Sequence, residues 1–537
     1  MQGLMGELPL TLDLLARRAE QWFPRKDVIT AVGGGALSRT SYRDWAARAR
    51  RVGGAMEALG VSADGRVGSL CWSTQEHLEL YFGVPGSGRV LHTLNPRFSP
   101  GQLAFVINEA QDEVVFVHAS LAGVLLAVLP GCPSVAHVVV IDDGVPSPEG
   151  PAGVQVHSYE ELLEGADEAE LAVEDERRAA VLCYTGGTTG DPKGVLYSHR
   201  SLVLHALAVM SASGIGITER DVAMPVVPLF HANAVGFAHA AVATGATLVL
   251  PGRDLSGGAL ADLIEQQRVS VTCGVPTVWS AVLPALAGRP VPNLRTIISG
   301  ASAVPPSLSE QFAERVGVPL TQIWGMTETS PLGTIVSVVS ERQDASAQEL
   351  VELRASVGLP VAGVEARVVD DEGRAVDRDG ASSGELQVRG PWVASGYFGG
   401  RSPESFTDDG WLRTGDIATV DEHGYVRIVD RAKDVIKSGG EWISSITLEN
   451  HLMSHPEVAE AAVVAVDDEK WGERPKAYVV PVEGASPDPE QLAGFLAERV
   501  PTWWVPERWE VIDEIPKTSV GKFSKATLRA RDEASPG

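Results

Sequence analysis

From Thr11 onward the apolar positions Leu12, Leu15, Ala19 and Trp22 recur three or four residues apart, the spacing of one face of a helix. The same periodicity predicts a helix over residues 42–59 that Gly60 stops, and an apolar helix over 78–84. Between them lie short apolar runs that read as buried strands: 66–71 (RVGSLC), 114–117, 135–141 and 179–183. Strands alternating with helices predict an α/β architecture built on largely parallel sheets. The Pro/Gly-rich piece 144–153 reads as a surface loop, and Ser198 is placed to cap a helix begun by residues 199–204.

Between Asp221 and Arg253 the chain carries no Asp, Glu, Lys or Arg. A membrane helix needs about 20 uninterrupted apolar residues. Pro225, Pro228, His231, Asn233, His239 and Gly245 interrupt this run, so a buried strand, a loop and a small-residue helix are expected instead. Further on, residues 384–396 have the pattern of a β-rich subdomain, 458–466 and 476–480 of strands, and 488–498 of a helix.

Composition narrows the class. At 537 residues the chain is too long for one hydrophobic core and fits two or three domains. It is 44% hydrophobic and 21% charged, as soluble globular proteins are, and its net charge of −26 argues against nucleic acid or an anionic membrane as the main partner. A phosphate site must therefore gather its own positive charge. Cys71, Cys132, Cys183 and Cys273 show no metal-ligand spacing, so reduced thiols and a cytoplasmic location are expected. The N-terminus lacks the pattern of a signal peptide and the ending EASPG is no peroxisomal signal.

The most informative stretch is residues 184–194, YTGGTTGDPKG. Gly186, Gly187 and Gly190 let the backbone turn tightly and aim successive N–H groups into one concavity, which suits phosphate oxygens. Thr185, Thr188 and Thr189 add hydroxyls, and Lys193 adds positive charge. No Gly-Lys-Ser/Thr comes after the glycines, so this is not a Walker A loop. It lies after a strand and, on this reading, before a helix.

This loop resembles the phosphate loop of the adenylate-forming superfamily: acyl- and aryl-CoA synthetases, carrier-protein adenylation domains and luciferases. Gly186 departs from it, since relatives commonly carry Ser or Thr there. Other motifs match in order, and the resemblance covers residues 10–529. Residues 78–103 are similar to fatty-acid CoA ligases in particular, although such ligases often have Trp near Val235. In VVPLFHANAVG (226–236), the resemblance implies that His231 lines the carboxylate pocket. In ISGASAVPPSL (297–308), Gly300, Ala301 and Ser302 are small enough to let adenine lie against the backbone. IWGMTETSP (323–331) resembles the fifth core motif: Trp324, Gly325 and Met326 at the nucleotide, Thr327 bonding a phosphate oxygen, and Glu328 holding Mg²⁺, with Thr185 its second candidate ligand.

The match continues through 410–445, where Asp416, in the turn Thr414-Gly415-Asp416, is expected to accept both ribose hydroxyls, with Arg431 and Lys437 supplying charge. The resemblance implies a large domain (1–429) of parallel-rich sheets with a β-rich subdomain, a hinge at Asp430, and a small mobile α+β domain (430–537). Gly439 and Gly440 would border a channel for the pantetheine arm, and Trp442 the nucleotide. Lys522, in PKTSVGK, matches the catalytic lysine. The implied reaction joins a carboxylic acid to ATP as an acyl-adenylate, releasing pyrophosphate, and then to coenzyme A, releasing AMP. No nucleic acid or integral membrane contact is expected, and a homodimer is left open. Another acid or acceptor (an aryl acid, a carrier protein), or nitrite activation for diazotisation, also stays open at this point.

Overall fold

The computed structural model describes the chain apart from residues 2, 142–148, 186–190, 440, 518–522 and 535–537. The first helix, Leu12–Trp22, buries Leu12, Leu15 and Ala19 as the spacing predicts. Trp22 instead stands 71% exposed, because it falls at the edge of the stripe on the last residue of the helix. The helix Tyr42–Ala58 starts at Ser41, whose side chain accepts from Asp44 N, and the chain leaves it through Gly60 at φ +70°.

Two large sheets share the extended core cluster that includes Trp45, Phe82, Phe116, Phe237, Trp324 and Trp392. The first has seven strands in the spatial order Gln155–Ser158, His137–Ile141, Asp112–His118, Arg66–Leu70, Val90–Thr93, Ala179–Tyr184, Gly194–Ser198. All pair in parallel except the last, which runs antiparallel to Ala179–Tyr184. The second has nine strands, of which Leu320–Trp324, Thr296–Ser299, Val271–Gly274, Val222–Pro225, Thr247–Leu250 and Asp27–Gly33 are consecutive and parallel. Parallel strands covered by helices on both faces read as continuous apolar runs, which is why the pattern was legible.

The uncharged stretch resolves into the strand Val222–Pro225, a tight turn and the fully buried helix Phe237–Thr244. Among the described residues no helix is long and apolar enough to cross a membrane. All four cysteines are buried free thiols.

Next in the chain is a four-stranded antiparallel sheet: Glu365–Val369, Ser383–Arg389, Leu412–Val420, Val426–Arg431. Beyond it lies a separate sheet in which Val458–Asp468 pairs with Gly472–Pro481 over its whole length, with its own core of Ile436, Leu448, Val463, Val479 and Leu492. The α/β class, the β-rich subdomain and the small C-terminal α+β unit thus all stand.

Candidate active site

The phosphate-loop stretch departs from expectation on its C-terminal side. Residues 194–198 are not a lead into a helix but the strand Gly194–Ser198, so the loop closes a hairpin; Thr185 N donates to Lys193 O at 2.9 Å. The reason is the alternation in which Val195 and Tyr197 are buried and Leu196 is exposed, hidden in a run too short to show a period. Ser198 does cap the next helix, His199–Met210, sharing reciprocal bonds with Ser201. The strand Gly194–Ser198 thus stands between Lys193 and the N-terminus of that helix. Gly186, Gly187, Thr188, Thr189 and Gly190 lie outside the described residues, as do Gly440 and Lys522.

The hairpin is tied to the TET motif. Tyr197 OH donates to Thr327 O at 2.7 Å, and Lys193 Nζ sits 4.9 Å from the centroid of the Tyr397 ring. The Tyr397 hydroxyl in turn donates to Glu328 Oε1 at 2.5 Å. Thr327 and Glu328 are buried in a single 3₁₀ turn, Thr327–Thr329. Gly325 admits no side chain there, since a Cβ would lie 1.4 Å from Pro331 O.

Trp324 carries the cluster toward Asp416. Its indole N–H donates to Asp416 Oδ2 at 2.8 Å, and Arg431 Nε pairs with Oδ1 at 2.7 Å. Asp416 lies within the strand Leu412–Val420 rather than in a turn: the register shifts across Thr414–Gly415–Asp416, and Gly415 sits at φ +69°. Such a bulge re-aims a side chain without ending the strand. Both carboxylate oxygens thus have protein donors, and each keeps a second lone-pair direction for a ligand hydroxyl. Trp324 is 8% exposed, with Gly333 packed against its ring, so it offers a ligand an edge more than an open face.

Gly300 lies beside this strand, where a Cβ would meet the Ile323 side chain at 2.7 Å; Ala301, at φ +70°, and Ser302 are exposed in the adjoining turn. Met326 is half-buried. His231 is half-buried at the head of an unusual turn, in which Ala232, Asn233, Ala234 and Val235 all have φ between 40° and 59° before Gly236 at 72°. A β-branched residue in that region is a backbone outlier, and burial of the whole turn holds it.

On the small unit, Lys437 is exposed on the strand Ile436–Ser438 and Trp442 half-buried on its neighbour. Gly439, at φ +62°, donates its N–H to Trp471 O, and a Cβ there would strike the Trp471 ring. Trp471 and Trp503, 44% and 41% exposed, flank a cleft of about 430 Å³ floored by Arg474. Sequence reasoning missed this cleft and Tyr397. The signal for the first was the pair of tryptophans in WGERP and PTWWVPE; a lone Tyr in SGYFGG gave none. Asp430, the expected hinge, is 1% exposed and accepts from Ser445 N at 2.7 Å.

Among the described residues no three His, Cys, Asp or Glu side chains gather as a metal site. One buried carboxylate, Glu328, between the hydroxyl residues Thr327 and Thr329 still suits Mg²⁺, which takes one or two protein carboxylates and completes its shell with phosphates and water.

Comparison with known proteins agrees with this geometry. Residues 15–398 match the model of the AMP-binding enzyme family, and 447–522 that of the AMP-binding enzyme C-terminal domain. The chain is 46% identical over 517 residues to a long-chain-fatty-acid–CoA ligase of Thermus thermophilus, covering 95% of this chain and 94% of that one. It is 41% identical to a 3-methylmercaptopropionyl-CoA ligase of Ruegeria lacuscaerulensis, over 98% of both. Its fold superposes on an anthranilate CoA ligase solved with anthranoyl-AMP at a TM-score of 0.87 and 25% identity, covering 98% of each chain. Matches that run through both parts of the molecule leave one assignment: the chain belongs to the AMP-binding enzyme family.

Proposed function

We propose that the protein is an AMP-forming acyl-CoA ligase that activates a fatty or related aliphatic acid in the cytoplasm. The observation that carries this reading is a pair of contact chains, Lys193–Tyr397–Glu328 and Trp324–Asp416–Arg431, that meet in the one motif 323–331. It lines up positive charge, a buried carboxylate and a second, doubly held carboxylate in the order that ATP presents phosphates and ribose.

Asp416 accepts from the ribose hydroxyls, and Arg431, locked to it, fixes its rotation. Lys193 and the loop hydroxyls hold the β- and γ-phosphates. Glu328 and Thr185 would hold Mg²⁺, which when bound neutralises charge beside the phosphates. The acid enters beside His231, its carboxylate attacks the α-phosphorus, and pyrophosphate leaves. Lys522 neutralises the charge that develops on the α-phosphate oxygens. Catalysis of this step is positioning and charge compensation.

For the second step the small domain turns about Asp430, and the CoA thiol attacks the acyl carbonyl and expels AMP. The cleft between Trp471 and Trp503 beside Gly439 supports a CoA-facing role for that surface, since two exposed indoles and a buried arginine suit a nucleotide. The bond from Ser444 Oγ to Val429 O, 2.5 Å, crosses the boundary at residue 430 and is the contact such a turn would strain first.

The test is a panel of acids, from short and thioether-containing to long-chain, aryl acids and nitrite, scored by pyrophosphate and AMP release with and without CoA. An aliphatic acid is expected to give equal AMP and acyl-CoA. Turnover confined to aryl acids or nitrite, or AMP release indifferent to CoA, overturns the proposal.

A further inference from the structure

Glu328 is held in place from outside its own motif. The segment before Tyr397 brackets the 3₁₀ turn and the residues just beyond it: Ala394 N donates to Glu328 O at 2.7 Å, Ser330 Oγ to Trp392 O at 2.8 Å, and Trp392 Nε1 to Leu332 O at 3.0 Å. These bonds fix where Tyr397 begins. Phe406 packs edge-on against its ring with centroids 5.5 Å apart, and the Lys193 ammonium lies over a face. The ring therefore has little freedom, and its hydroxyl ends on Glu328 Oε1.

A carboxylate on a flexible stem can turn either oxygen toward a cation. The bond from Tyr397 to Oε1 limits that rotation and leaves the carboxylate's remaining lone pairs for a cation. The same ring attracts the Lys193 ammonium through its π face, so one side chain sets both a cation-binding carboxylate and a phosphate-binding amine.

We propose that Tyr397 is a positioning residue of the activation step: it aims Glu328 at the metal and holds Lys193 beside the same phosphates. This rests on the reading of Glu328 as the metal carboxylate. Partners that orient a metal-binding carboxylate typically change affinity for the ion by about 10–100-fold when removed.

The test measures the metal directly. Mn²⁺, visible by electron paramagnetic resonance, is titrated into wild type, Tyr397→Phe and Glu328→Gln in the presence of an α,β-methylene analogue of ATP. Phenylalanine keeps the ring, its packing on Phe406 and its face toward Lys193, and circular dichroism checks the fold. Tyr397→Phe is expected to weaken Mn²⁺ binding about tenfold. Glu328→Gln should weaken it at least as much, and the double variant no further than Glu328→Gln alone, because Tyr397 acts through that carboxylate. Unchanged Mn²⁺ affinity in Tyr397→Phe alongside a loss in Glu328→Gln overturns the positioning role and leaves the metal assignment standing. Unchanged affinity in Glu328→Gln overturns the assignment itself. A double variant that adds the two losses shows Tyr397 acting elsewhere and also overturns the proposal.

Discussion

Lys525→Met tests the joint on which the proposed domain rotation turns. Lys525 Nζ donates to Ser445 Oγ at 2.6 Å and pairs with Glu449 Oε1 at 2.7 Å, with only 11% and 9% of the two charged side chains exposed. Ser445 passes the contact on to Asp430, the buried carboxylate at the expected hinge, and Lys525 stands three positions beyond Lys522. One ammonium thus balances two buried carboxylates. Removing it leaves both uncompensated, and breaking a buried pair this way typically costs about 3–5 kcal/mol.

The loss depends on pH with a definite sign. Burial, only partly offset by Lys525, pushes the Glu449 carboxyl up from 4.5 to about 7. The unfolded chain releases that proton first, so the folded state loses stability as pH rises from 4.5 to about 7. Without Lys525 the folded-state value rises further and the window of loss extends upward. The deficit of Lys525→Met should therefore be smallest near pH ~5 and larger near pH ~8.

Hydrogen exchange read peptide by peptide measures this in the intact chain, with the large domain as internal control. Amides of the helix Ser445–Met453 and the strand Val458–Asp468 should exchange about 100- to 4,000-fold faster, the equivalent of that energy at about 1.4 kcal/mol per factor of ten. Adding Glu449→Gln should restore most of the protection and flatten the pH response. Exchange within a factor of about two of wild type, a pH-independent deficit, or no rescue by Glu449→Gln would refute this coupling.

Asp416→Asn should lower kcat/KM for ATP about 10–100-fold, the worth of charged hydrogen bonds, and should erase the preference for ATP over 2′-deoxy-ATP; a retained preference removes Asp416 from the ribose. Lys522→Ala should cripple adenylate formation from acid and ATP while still converting a supplied acyl-adenylate and CoA to thioester. Equal loss of both half-reactions, with unchanged circular dichroism, contradicts the assignment of Lys522 to the first step alone.

The parallel sheets were readable because both faces are covered, so strands such as Val114–Val117 and Ala179–Cys183 are unbroken apolar runs. The helix Phe237–Thr244 could be told from a membrane span by its flanking prolines and histidines. The hairpin strand Gly194–Ser198 escaped notice because five residues carry too few repeats to show a period, and Asp416 read as a turn because a bulge and a turn share the Thr-Gly-Asp chemistry. At the candidate site, the residues proposed for ATP were legible as candidates where they fall in short contiguous motifs. Those that act through another residue were not: Tyr397, sixty-nine positions from Glu328, joins it only through tertiary packing. Asp430 was expected as a hinge, but nothing in the sequence signalled that Lys525 and Glu449 share its buried place.

The central claim is that a carboxylate oxygen bonds to the α-phosphorus before the thiol arrives. Turnover of the preferred acid labelled with ¹⁸O in both carboxylate oxygens, with ATP, Mg²⁺ and CoA, tests it by mass spectrometry of the products. The expected products are AMP carrying one ¹⁸O and acyl-CoA keeping the other, with none in pyrophosphate. Unlabelled AMP, or label in pyrophosphate or inorganic phosphate, would contradict the claim.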